Sequence, residues 1–132
     1  MTSRSRRRRE EGTSAIELVL YMPLLMIVII LTVQFALIYL GNQAVSAAAR
    51  EAARTTRISG DVEAGRERGR SYAGSLGSGL VSGVTVDVDL VDGGNEVRAV
   101  VRAQGAQLIP FIRSPRLSET VQGPLEQFVE DQ

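Results

Sequence analysis

Carboxylates and arginines are the side chains with chemistry to offer in this 132-residue sequence, which contains neither cysteine nor histidine. Asp87 and Asp89 stand two apart with Asp92 close behind, and Glu17 stands alone at the head of an apolar run. Two carboxylates on one face of a strand could hold a cation or divide acid and base roles. Arg98 and Arg102, however, share a face of the next strand-like stretch, so cross-strand charge pairing on a wet face is the simpler reading. Without thiolate or imidazole, most zinc sites, cysteine nucleophiles and the usual general base are excluded. The sequence is therefore read as non-enzymatic, with no catalytic residue, no metal and no cofactor.

The arginines say more by their placement. All fifteen basic residues are arginine and are balanced by fifteen acidic ones, but Arg4, Arg6, Arg7, Arg8 and Arg9 cluster before the apolar run. No basic, aromatic-interleaved surface follows, which argues against a nucleic-acid partner. Residues 18–40 carry no formal charge, and at about 1.5 Å per residue a helix of this length spans roughly 34 Å, enough for a hydrocarbon core of about 30 Å. A cleaved secretory signal has an apolar region of only about 7–15 residues, and Ala47-Ala48-Ala49 lies too far beyond the run to serve as its cleavage site. The arginine cluster outweighs Arg50, Arg54 and Arg57 after the span, so the N-terminus is expected in the cytoplasm. Tyr21 and Tyr39 suit the two interfaces, and Pro23 predicts a local bend or loosened turn.

The elements that position these groups follow from composition and period. Residues 1–11 lack apolar periodicity and are expected to be disordered or held against anionic headgroups. Thr13 or Ser14 then caps a helix, with Glu17 at the capping-box spacing from Ser14. Residues 42–57 are alanine-rich and free of proline and glycine, so the helix is expected to continue to about Arg57 despite Gly41. Ala44, Ala48, Ala52 and Thr55 make a small-residue stripe open to close approach by a helix or sheet, and Arg50, Arg54 and Arg57 make a solvated face. Ser59-Gly60-Asp61 breaks the helix and supplies caps. Val62, Gly65, Gly69, Tyr72 and Leu76 recur at helical spacing in a second helix that its glycines should weaken. Residues 75–83 read as a flexible connection and lack a phosphate-loop ending.

Residues 84–91 alternate Val84, Val86, Val88 and Leu90 with polar side chains, Asp92-Gly93-Gly94-Asn95 is turn chemistry, and residues 96–103 alternate through Val97, Ala99 and Val101. This predicts a hairpin. Residues 107–116, with Pro110, Phe111 and Pro115, should form a loop holding an apolar plug, and residues 118–122 a short third strand ended by Gly123-Pro124. An acidic tail follows, in which Phe128 could dock.

With these residues in view, the N-terminus resembles the type IV pilin class, and the layout resembles the TadE-like proteins of tight-adherence pilus systems. The resemblance rests on a basic leader ending at Gly12, TSAIEL with Glu17 fifth after that glycine, the long apolar segment, and QAVSAAAREAAR at residues 43–54. It implies cleavage between Gly12 and Thr13 by a membrane-embedded prepilin peptidase, with Glu17 setting register against a neighbouring subunit's new amino terminus. It also implies other pilin or pseudopilin subunits, a membrane assembly platform and the lipid bilayer as partners.

The architecture expected is α+β: a long N-terminal transmembrane helix running into a small extracytoplasmic module with a short helix and an antiparallel hairpin or three-stranded sheet. Its organisation is a leader over residues 1–12, the spanning and extended helix over 13–58, and the module over 59–132. The resemblance implies a minor pseudopilin or pilus-assembly protein, single-pass in a bacterial cytoplasmic membrane and either retained there or incorporated in a pilus. The alternative is an unprocessed membrane-anchored extracytoplasmic binding domain.

Overall fold

A computed structural model describes the backbone of residues 4–126 and the side chains of residues 14–126. Helix α1 spans Arg4–Ser59 and α2 Val62–Leu76; strands β1 (Val81–Val91), β2 (Glu96–Gly105) and β3 (Arg116–Pro124) form one antiparallel sheet in the order β1-β2-β3. The fold is α+β, as the periodicities predict. The chain divides into two compact units, Met1–Phe35 and Ala36–Gln132.

Helix α1 starts at Arg4, not at Thr13 or Ser14, so Ser14 and Glu17 are interior residues and their spacing is not a capping box. Arginine and glutamate are good helix formers, and extending an existing helix avoids the cost of a new nucleus, which outweighs about 1 kcal/mol for Gly12. The backbone of residues 4–11 is accordingly helical rather than disordered. The helical assignment also continues through Pro23.

In the second unit, one layer is formed by the last part of α1 together with α2, and the other by the sheet. The buried set is Val45, Ala48, Ala49, Ala52 and Ala53 of α1, Ala73 of α2, and Val86, Val88, Val97, Ala99, Val101, Ala103 and Leu117 of the sheet. The alanine stripe is thus a packing surface, but it continues through buried Thr56, while Thr55 is only half-buried. The Thr56 hydroxyl donates to Ala52 O at 3.1 Å, which satisfies it without leaving the helix.

The glycines of α2 give the stripe its partner. Gly65, Gly69 and Ala73 are the buried residues of this helix. A Cβ at Gly65 would stand 1.8 Å from Thr56 Oγ1, and one at Gly69 would stand 2.9 Å from Ala52 Cβ. Intrinsic propensity makes these glycines a weakness, but the close helix approach requires them. Asp61 caps α2, its Oδ1 accepting from Glu63 N at 2.9 Å and Ala64 N at 3.2 Å, and Gly60 turns the chain at φ +70°.

Strand β1 begins at Val81, inside the stretch expected to be a flexible connection, and carries an irregularity between Ser82 and Thr85. The turn at 92–95 joins Val91 to Glu96, and β3 is longer than the expected 118–122. Leu90 departs from the alternation and is exposed near the end of the edge strand β1, although its cross-strand partner Val97 is buried.

Two close contacts locate the ends of the sheet along α1. At Gly41 a Cβ would meet Leu117 Cδ1 at 3.0 Å, Val81 Cγ1 at 3.2 Å and Leu80 O at 3.3 Å. At Arg57 the guanidinium Nε donates to Pro124 O at 2.7 Å. Between these points α1 rises about 24 Å, close to the roughly 27 Å of a nine-residue strand, so β3 runs alongside the helix.

Candidate functional site

The apolar half of α1 is the feature that its own chain leaves unsatisfied. None of its most apolar 18-residue window is buried, and the side chains from Ile16 through Leu31 that are large and apolar are all exposed. A helix apolar on every face is stable only in lipid or among other helices. Among the described residues one helix is long and apolar enough to cross a membrane, near the N-terminus, which fits a single-pass membrane anchor. Tyr21 and Tyr39 are exposed near the two ends of the run, where interfacial rings are favoured.

Glu17 lies one residue before this run, exposed, with no ion-pair partner among the described residues. Gly12 and Thr13, the residues expected to flank a cleavage, lie outside the residues whose side chains are described, as do Arg4, Arg6, Arg7, Arg8 and Arg9; Phe128 lies outside the described residues altogether.

The two aspartates of β1 both face arginines. Asp87 Oδ2 accepts from Arg102 at 2.7 Å, the cross-strand pair expected on the wet face. Asp89 instead lies 3.8 Å from Arg66 of α2, which also donates to Val88 O at 2.9 Å and to Glu63 Oε2 at 3.2 Å, while Arg98 turns to Gln122. The reason is positional: α2 lies beside β1, bringing Arg66 to the strand's outer edge. No group of three or more potential metal ligands occurs among the described residues.

Two further residue sets depart from expectation. Arg57 is not part of a solvated face with Arg50 and Arg54; it is half-buried and holds the end of β3 through Pro124 and Glu126. The 107–116 loop is not a plug. Phe111 is 96% exposed, Ile112 57% and Leu108 49%. The signal that could have marked it is the run Leu108-Ile109-Pro110-Phe111-Ile112 followed by Arg113, in a stretch without an acidic residue from Arg98 to Ser118.

No curated protein and no solved structure matches the chain. Residues 12–54, the segment from the expected cleavage glycine through the exposed apolar run and into the buried alanine stripe, match the family model described as TadE-like protein, a match consistent with a TadE-like protein of the pilin class.

Proposed function

We propose that this chain is a TadE-like minor pilin or pilus-assembly protein of a tight-adherence system, acting by helix packing and not as an enzyme. The observation that carries the reading is the coincidence of the TadE-like match with a fully exposed apolar helix half. The family match supports a role alongside other pilus components.

In this reading the arginine-rich head is cytoplasmic and the sheet module extracytoplasmic. A prepilin peptidase hydrolyses the Gly12–Thr13 bond, removing the head and leaving a free amine at Thr13. Glu17 is then about one helical turn from that amine. A carboxylate in hydrocarbon is unfavourable by up to about 2.5–3.5 kcal/mol on insertion scales, less near an interface. Pairing with the amine of a neighbouring subunit offsets the cost and sets axial register.

N-terminal sequencing of the protein from membranes containing a prepilin peptidase tests the reading. A start at Thr13 is expected; an intact arginine head supports the unprocessed anchor instead. Glu17→Ala is expected to insert normally and to be lost from co-purified assemblies, and unchanged incorporation would remove the register role.

A further inference from the structure

We propose that the β2–β3 loop, residues 106–115, is a membrane-interface anchor that seats in the leaflet from which α1 emerges. The proposal rests on the reading of the apolar run as a membrane span, and goes beyond it by assigning the module its own lipid contact.

The position of the loop comes from its neck. Gly105 N donates to Pro115 O at 2.8 Å, and Ala106 N donates to Leu80 O at 2.8 Å. Leu80, with Val81 and Leu117, is what Gly41 lies against. The loop therefore leaves the sheet at the Gly41 end, opposite the end held by Arg57. Gly41 follows directly on Leu40, the last residue of the apolar run, and Ile38 within that run packs on the module's core. The loop neck thus lies beside the residue at which the apolar run ends.

The loop's chemistry suits that depth. Gln107 gathers the backbone: its Nε2 donates to Ile109 O at 2.7 Å and to Ile112 O, and its Oε1 accepts from Ser114 Oγ at 2.9 Å. Ile112 N closes the turn onto Ile109 O at 3.2 Å. The carbonyls of Ile109 and Ile112, which would be costly unpaired in a poorly hydrated layer, are satisfied inside the loop, while Leu108, Phe111 and Ile112 are exposed. Arg113 follows the tip and Arg116 opens β3, both exposed and without an ion-pair partner among the described residues, with aliphatic stems able to lie on the apolar layer and guanidinium groups able to reach phosphate. A protein groove could receive the same apolar tip, but continuity with the end of the apolar run and the two exposed arginines beside it favour lipid.

The chain contains no tryptophan, so Phe111→Trp in the full-length protein gives a single reporter. The probe is one copy per nanodisc of mixed phosphatidylcholine and phosphatidylglycerol, with acyl chains brominated near the headgroup or near the terminal methyl. Leu31→Trp reports the span, and Thr120→Trp the exposed face of β3. Phe111→Trp is expected to emit to the blue of Thr120→Trp and to lose intensity to lipid brominated near the headgroup, whereas Leu31→Trp loses more to deep bromine. Adding Arg113→Glu and Arg116→Glu should reduce the loss at Phe111→Trp. If Phe111→Trp matches Thr120→Trp while Leu31→Trp is quenched, the loop anchor is wrong and the span stands. A blue shift seen only with several copies per disc, without bromine quenching, means a protein contact and also overturns the proposal. If Leu31→Trp is unquenched, the span reading falls and takes the loop anchor with it.

Discussion

Helix α1 contains two stretches with opposite ways of excluding water. Up to Leu31 it carries Leu, Ile, Val and Met outward on every face, unburied by the chain. From Ala44 to Thr56 it carries Ala, Val, Ser and Thr, nearly all buried against α2 and the sheet. Large side chains gain most by entering an external apolar phase, whereas small ones let backbones approach and gain by close packing. The difference teaches that the first stretch depends on surroundings the protein does not provide, while the second depends on the protein alone.

If that division is right, a charge in the first stretch should spoil insertion and spare the module. Val28→Arg is expected to cost about 2.5–3.5 kcal/mol of insertion, read as loss from alkali-resistant membranes. A module that unfolds as well would break the comparison. The converse test is Gly65→Ala, whose Cβ would stand 1.8 Å from Thr56 Oγ1 and 2.9 Å from Ala52 O. It should destabilise the module by about 1–3 kcal/mol in thermal melts and leave insertion unchanged. Gly74→Ala, on the same helix with nothing within 4 Å, should act in the opposite direction by up to about 1 kcal/mol. Arg57→Ala removes the bond to Pro124 O and should cost about 1 kcal/mol, seen as faster amide exchange at Leu125. Smallest is Asp87→Asn, whose partner Arg102 is solvent-exposed; a loss of about 0.5 kcal/mol that fades with added salt is expected from denaturant titration.

Hydropathy and alternation made much of this fold legible. The uncharged run marks the membrane-compatible half of α1, and the period-two stretches on either side of Asp92-Gly93-Gly94-Asn95 mark the hairpin, because both signals are local. What local pattern cannot weigh is tertiary demand. Gly65 and Gly69 read as weakness until Ala52 and Thr56 stand opposite them. Arg57 reads as solvated until Pro124, 67 residues on, offers its carbonyl. The apolar side chains of the 107–116 loop read as a plug because burial is the default for Phe111, and only the sheet's geometry shows that no core lies beneath it. At the candidate site, the apolar run with Glu17 at its head was legible, since it depends on no distant contact.

The alignment of β3 with α1 has a mechanical consequence. The strand meets the helix near Gly41 at its start and near Arg57 at its end, so the sheet lies lengthwise along the helix. A pull on the helix along its axis would load the whole shared surface in shear, many small contacts at once, rather than peel them open one after another. The module is splinted to its helix in the direction in which an extruded or tethered subunit would be stretched.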